Sequence, residues 1–227
     1  LFISCGSNSV SDQGDEEYVP IEGCRGANCL NFIKSAFYDM ATGIVSSTGV
    51  TMGLLADQYT STNIHRNYYD NAREPREALT NSTTDEFKLN IEEFYQDFSE
   101  AYKTADHFTE YARSDDSTFL MQSLGMAYFI RGVSQGYLGL IYDKVYLREF
   151  DSVEGGQLLE YSELIESSLS DLDKAISLFE EDPDFEHSNL PGNNKSLSNG
   201  YLMDIANSFA ARILAGEART YGEAQNI

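Results

Sequence analysis

Two long helical patterns run back to back through residues 86–150, and they constrain the fold more than any other feature of the sequence. In the first, apolar residues recur at spacings of three and four from Phe87 to Ala112, which makes one apolar stripe along a helix. The second helical pattern ends with AYFIRGVSQGYLGLIYDKVYL and is apolar on two faces. Because a helix that is apolar on two faces packs between neighbours, these residues predict a stack of helices.

Helical stripes of the same kind precede and follow this region. They run through residues 30–44, 161–179 and 202–214, and no segment shows the sustained alternation that a sheet requires. Long helices with short connections favour antiparallel pairs stacked side by side, as in tetratricopeptide repeats. The predicted fold class is therefore all-α, with stacked antiparallel helix pairs of this type and one long inter-helix loop at residues 57–81.

The two ends of the chain predict how the domain is delimited. Residues 1–23 are interpreted as a lipoprotein signal remnant and a polar tether, because LFISCG is similar to the tail of a bacterial lipoprotein signal, in which Cys5 would be acylated. An incidental cysteine in a shortened apolar terminus is the alternative. Residues 24–227 form the predicted helical-repeat domain. Thr220 and Glu223 have the capping-box spacing of a helix start, so we expect this domain to be truncated at its C-terminal end.

Two further cysteines, Cys24 and Cys29, lie around a glycine at the entry to the first predicted helix. In an exported chain they would form a small disulfide loop. A zinc site is the alternative, but it needs two more ligands, and the three histidines show no paired spacing. The sequence therefore favours the disulfide and predicts no metal site here.

The charge of the chain excludes some partners. Thirty-seven acidic against fifteen basic residues give a formal net charge of −22, which would repel a phosphate backbone, so nucleic acid is not an expected partner. No apolar run is long enough to span a bilayer, so attachment to a membrane would come through the lipid on Cys5. Solubility is the simplest reason for the acidity, and diffuse calcium binding stays open.

Catalytic motifs are absent from the sequence. There is no Gly-x-Ser-x-Gly elbow, no phosphate-binding glycine loop and no histidine beside a plausible nucleophile. With so many acids, no carboxylate pair of the kind a glycosidase needs can be singled out. A non-catalytic binding protein without a cofactor is therefore predicted. Arg131, between two apolar faces of its helix, is expected to tie helices together and not to form part of a site.

The long loop at residues 57–81 is the candidate ligand site, because long ordered loops on rigid scaffolds commonly carry binding residues. It combines flat aromatic rings, which suit the apolar face of a sugar, with groups that bond to hydroxyls. The candidates are Asp57, Tyr59, Asn63, Arg66, Tyr68, Tyr69, Asn71 and Arg73. The alternative is that these tyrosines merely pack the loop onto the helices. The absence of tryptophan, the commonest stacking residue, counts against a sugar.

Four features follow one another along the chain: the lipobox-like start; LLADQYTSTN with the following NAREPREALTN; EEFYQDFSEAYKTADHF with MAYFIRGVSQGYLGLIYDKVYL; and DIANSFAARILAGEART. In this order they resemble the SusD/RagB family of outer-membrane nutrient-uptake lipoproteins. The third is the most specific, since it resembles the family's long helix and its arginine-bearing partner with a strand-like exit. One departure is GLIYD at residues 139–143, where the family usually has an aromatic residue followed by glycine.

The resemblance implies a lipid-anchored protein on the cell surface at the outer membrane. It would cap a SusC-like TonB-dependent transporter barrel, capture an oligosaccharide or related nutrient and deliver it into the pore, with no covalent step. Part of the ligand surface would lie in the family's irregular C-terminal half, beyond residue 227. The competing interpretation is a helical-repeat scaffold that binds proteins or peptides and no sugar.

Overall fold

The computed structural model describes residues 27–46, 49–50, 86–113, 118–147, 156–188, 190 and 196–218. The helices are α1 (Ala27–Val45), α2 (Glu86–Arg113), α3 (Thr118–Ile141), α4 (Tyr161–Glu181) and α5 (Asn199–Glu217). The short strands are β1 (Lys144–Leu147), β2 (Gln157–Glu160), β3 (Glu186–His187) and β4 (Leu197–Ser198). They pair antiparallel as β1–β2 and β3–β4. The described part of the chain is thus mostly helical and packs as stacked helices, which confirms the predicted fold class.

From α2 to α4, consecutive helices run in opposite directions. Between α2 and α3, Arg131 bonds to Asp106 while Tyr137, further along α3, stacks on Phe98, which comes earlier in α2. Between α3 and α4 the order is reversed in the same way, since Gly125 faces Phe179 and Gly139 faces Ile165. The helix α5 then runs parallel to α3. The result is an up-and-down stack.

The helix α3 lies at the centre of this stack and contacts each of the four other described helices. From Ser123 to Ile130 every residue is buried, and so are most of the residues up to Gly139. This burial explains the two apolar faces in the sequence, because α2 covers one side and α4 and α5 cover the other. The prediction that this helix packs between neighbours is confirmed.

The stripes predicted for the other helices also face the core. The largest fully buried side chains among the described residues include Phe94, Phe98, Phe129 and Phe179. In α5, however, Leu202, Ala206 and Ile213 are buried while Leu214, the last residue of the predicted stripe, is exposed. The buried stripe of α5 therefore ends at Ile213, one residue before the end of its sequence pattern.

Local polar contacts mark where two of the helices begin. At the start of α4, the backbone N–H of Glu160 donates to the carboxylate of Glu163 at 2.8 Å. At the start of α5, Ser198 Oγ accepts from the backbone N–H of Tyr201 at 3.2 Å. Both satisfy backbone donors that a helix start would leave unpaired. The short ribbons β1–β2 and β3–β4 thus lead directly into capped helices.

The strand β1 is the strand-like segment that the sequence predicts after α3. Its side chains alternate, with Val145 and Leu147 buried and Lys144 and Tyr146 exposed. The pairing of β1 with β2, and the second ribbon β3–β4, did not follow from the sequence. In β3, His187 is buried and its Nε2 lies 2.8 Å from the amide oxygen of Asn199. Burial lowers the pKa of His187, against the opposing effect of this hydrogen bond.

Candidate functional site

Four helix segments meet at the end of the stack that carries the β1–β2 ribbon, which we call the hairpin end. Gly43, near the end of α1, is so close to Phe98 of α2 that a Cβ there would lie 2.6 Å from the ring. That ring stacks on Tyr137 of α3, with centroids 5.4 Å apart. The backbone N–H of Tyr161, at the start of α4, donates to the carbonyl of Asp143 at 2.9 Å. These contacts join α1, α2, α3 and α4 at the hairpin end.

Three tyrosines are joined at the hairpin end. Tyr95 Oη, on α2, donates to the backbone carbonyl of Tyr146 in β1 at 2.8 Å. The Tyr95 ring meets Tyr142 edge to face, with centroids 6.1 Å apart. Burial, followed by the neighbouring Tyr95, raises the pKa of Tyr142, so its phenol stays protonated. These contacts fix the position of β1 against the helices.

The outward side of the ribbon presents four side chains, which we call the hairpin face: Lys144, Tyr146, Leu158 and Glu160. Tyr146 is 58% exposed and lies directly opposite Leu158, which is 45% exposed. Side chains of directly opposed residues touch across a two-stranded ribbon. The next pair is ionic, with Lys144 Nζ 2.6 Å from Glu160 Oε1. The hairpin face therefore combines an exposed aromatic ring with hydrogen-bonding groups.

A buried ionic network joins α2, α3 and α4 in the middle of the stack. Arg131 Nε donates to Asp171 Oδ2 at 2.6 Å, and its Nη2 donates to Oδ1 at 2.9 Å. The remaining amino group of the guanidinium donates to Asp106 at 2.7 Å and to Thr109 at 3.1 Å. Gln135 also donates to Asp171, at 3.0 Å. A bidentate guanidinium with two carboxylate partners is a strong and directional contact.

This network is structural, as the sequence predicted for Arg131. Burial alone would lower the pKa of Arg131, but the hydrogen bond and charge of Asp171 and the charge of Asp106 raise it, so the arginine stays charged. Its guanidinium also lies over the ring of Tyr128, 5.1 Å from the centroid, and Lys174 lies 5.3 Å from that centroid. These contacts leave the guanidinium occupied within the helix stack.

Asp39 of α1 and Asp97 of α2 form a pair of carboxylates with raised pKa values. The pKa of Asp97 is raised to about 6, by burial first, then by the charge of Asp39 and then by that of Glu93. The pKa of Asp39 is also raised, by burial first and then by Glu100. We therefore treat this pair as a source of pH-dependent stability.

We expect Asp97→Asn to stabilise the protein at pH 7. The folded pKa of Asp97 lies above its ordinary value of 3.8, so the folded state keeps a proton that the unfolded state has lost between about pH 4 and 6. Stability consequently falls as the pH rises through this window. After allowance for solvent screening of a half-exposed group, the gain for the variant is about 1 kcal/mol at pH 7 and close to zero below about pH 4.

Urea unfolding of the wild type and of Asp97→Asn between about pH 4 and 7 measures the difference in their stability. Asp184→Asn, at an exposed turn position, is the control and should change stability by less than about 0.5 kcal/mol at any pH. A variant Asp97→Asn whose stability follows the same pH curve as the wild type would refute the assignment.

Two grooves line the described helices. One, of about 760 Å³, runs between α3 and α4 and is mainly apolar, with Leu124, Tyr128, Leu169 and Leu178 among its lining residues. The other, of about 470 Å³, lies along α5 and includes Tyr201, Phe209 and Arg212. In the second groove, Arg212 donates to Tyr137 Oη at 2.8 Å. Neither groove contains any of the ligand-binding residues predicted from the sequence.

Most of the residues predicted from the sequence to form sites lie outside the described part of the chain. These are Cys5, Cys24, Asp57, Tyr59, Asn63, Arg66, Tyr68, Tyr69, Asn71 and Arg73. Cys29 lies in the first turn of α1. The ligand loop, the lipidated cysteine and the Cys24–Cys29 disulfide therefore remain predictions.

Among the described residues, no group of three His, Cys, Asp or Glu side chains is arranged to hold a metal ion. None of the described helices combines the length and the apolar character needed to cross a membrane.

Comparison with known proteins identifies the architecture. No family model and no curated protein matches the sequence. Among solved structures, a SusD superfamily protein from Bacteroides vulgatus matches with a TM-score of 0.57 and 17% sequence identity. The fold is SusD-like. The match covers 87% of this chain and 41% of the other, so this chain spans about two-fifths of the length of that structure.

The hairpin face is the feature of the hairpin end that the sequence analysis missed. A signal for it exists, because KVYL at residues 144–147 alternates between polar or aromatic and aliphatic side chains. That pattern predicts a strand with Val145 and Leu147 inward and Tyr146 outward. The segment was too short for the alternation to stand out, and its partner β2 has no comparable pattern.

Proposed function

We propose that this protein is a non-catalytic, lipid-anchored nutrient-binding protein of the outer membrane that captures an oligosaccharide at the cell surface. A TonB-dependent transporter barrel of SusC type is the proposed partner that receives the nutrient. The observation that carries the proposal is the SusD-like arrangement of the helices over 87% of the chain. The sequence adds the lipobox-like start at Cys5 and the tyrosine-rich loop at residues 57–81.

The geometry of the described residues agrees with a rigid binding scaffold. The C-terminal end of α1 packs closely on α2 through Gly43 and Phe98. Binding residues on a loop gain precision from such a scaffold. The buried charges around Arg131 are satisfied by one another and are not aimed at a ligand. Capture of a nutrient would then need no chemistry from the helices.

We expect the double variant Tyr68→Ala/Tyr69→Ala to weaken binding of a neutral oligosaccharide at least about tenfold, because two stacking rings are lost. Migration through native gels that contain neutral polysaccharides, such as xylan, galactomannan or mixed-linkage glucan, measures this as lost retardation. Tyr38→Ala, which removes an exposed tyrosine of α1, is the control and should migrate like the wild type. Unchanged retardation of the double variant would defeat the role of the loop.

A helical-repeat scaffold that binds peptides is the second candidate, and the apolar groove between α3 and α4 favours it. The two candidates differ in processing of the N-terminus. Incorporation of labelled palmitate that depends on Cys5 would count against an intracellular scaffold. An unlipidated, cytosolic product would support the scaffold and contradict the outer-membrane role.

A further inference from the structure

We infer that the hairpin face is a subsite for one neutral sugar unit, stacked on Tyr146 and bonded through its hydroxyls to Lys144 and Glu160. This inference rests on the proposed nutrient-binding function and adds to it a site outside the loop at residues 57–81. It follows from four observations on the described residues: the exposure of the ring, the rigidity beneath it, the pairing of Lys144 with Glu160 and the small size of the surface.

The ring of Tyr146 is available to a ligand. It is 58% exposed although its strand is packed against the helix stack. Leu158, directly across the ribbon, extends the apolar surface beside it. A flat aromatic face with an aliphatic neighbour matches the apolar C–H face of a pyranose ring. One tyrosine can carry one such ring.

The ribbon beneath Tyr146 is held in place before any ligand arrives. Val145 and Leu147 on either side of it are buried in the core. The carbonyl of Tyr146 itself accepts a hydrogen bond from Tyr95 Oη at 2.8 Å. Binding here would therefore lose little conformational entropy from the backbone, and preorganised groups bind more tightly than mobile ones.

The charges of the hairpin face select a neutral ligand. Lys144 and Glu160 form an ion pair at 2.6 Å, and their side chains remain 54% and 52% exposed. The pair thus offers donors and acceptors to hydroxyl groups while its net charge is zero. An anionic sugar would gain nothing from this pair and would be repelled by a chain of net charge −22.

The size of the hairpin face argues against a protein partner. A stable protein–protein interface buries about 800 Å² on each partner. Four side chains on a ribbon of two four-residue strands fall well short of that area. A sugar unit needs only a ring-sized surface and two or three polar contacts.

The test uses the full 227-residue chain in native gels that contain xylan, galactomannan, mixed-linkage glucan or, as the anionic comparison, polygalacturonate. Tyr146→Ala should weaken retardation by a neutral polysaccharide about fivefold to tenfold. Tyr146→Phe keeps the ring and should stay within about twofold of the wild type. Tyr201→Ala removes a tyrosine of matched exposure, 56%, from the start of α5 and should have no effect.

The outcomes separate this inference from the proposed function. If Tyr68→Ala/Tyr69→Ala releases the protein from a neutral gel and Tyr146→Ala does not, the hairpin subsite is wrong and the nutrient-binding proposal stands. Equal losses for Tyr146→Ala and Tyr201→Ala would also overturn the subsite, because the effect would then be general. Retardation by polygalacturonate alone would refute the neutral class of ligand. If no gel retards the wild-type chain, both proposals are contradicted.

Discussion

Replacing Arg131 by alanine is expected to destabilise the protein by about 3–5 kcal/mol. The guanidinium is the only group that bonds at once to α2, through Asp106, and to α4, through Asp171, within the described network. Its removal leaves two carboxylates in the core with fewer partners, and a buried charge without its counter-charge is costly. Asp171 would retain Lys174 and Gln135, each at 3.0 Å, which softens the loss without restoring the link to Asp106 of α2. Urea unfolding followed by circular dichroism measures the change.

A surface ion pair provides the matched control. Lys144 and Glu160 are as close as Arg131 and Asp171, with 2.6 Å between the charged atoms in each pair. Their side chains are 54% and 52% exposed, whereas those of Arg131 and Asp171 are 12% and 2% exposed. Since solvent screens the exposed pair, Lys144→Ala should destabilise the protein far less than Arg131→Ala. Similar losses in the two variants would show that burial does not set the strength of these contacts.

Helix positions and core faces were readable from the sequence for a simple physical reason. A helix in a stack must bury one or two stripes, and those stripes repeat with the period of the helix. The pattern from Phe94 to Ala112 therefore places α2 correctly, and the double-faced pattern around Tyr128 identifies the central helix. Strand pairing carries no such repeated signal in ribbons of two to four residues, so β2, β3 and β4 were missed.

Partners distant in sequence were beyond what the pattern could predict. Burial of Arg131 between two apolar faces requires counter-charges, but their identity depends on how the helices align. Asp106 and Asp171 lie 25 and 40 positions away, and the sequence contains many other acids that could have served. For the same reason, the hairpin face could not be assembled from the sequence, because Tyr146 and Leu158 become neighbours only through the register of β1 with β2.

A row of glycines in α3 could have been recognised from the sequence, since Gly125, Gly132, Gly136 and Gly139 recur at spacings of seven, four and three. In the structure each of them faces a side chain or backbone atom of α4 or α5. Glycine at such positions lets two helix backbones approach closely. Ser168 Oγ of α4 uses this proximity to donate to the carbonyl of Gly132 at 2.6 Å.

We expect Gly132→Ala and Gly136→Ala each to destabilise the protein by about 1–3 kcal/mol, although alanine favours a helix over glycine by about 1 kcal/mol. A Cβ at Gly132 would lie 3.0 Å from the backbone oxygen of Ser168, which can move only if α4 moves. At Gly136 it would meet Ile213 and would lie 2.6 Å from Ser168 Oγ. Gly200→Ala is the control, because its Cβ would lie 3.4 Å from its nearest neighbour, an ordinary contact. If all three variants were neutral or stabilising in urea unfolding, the helix propensity of alanine would outweigh the packing between α3 and α4.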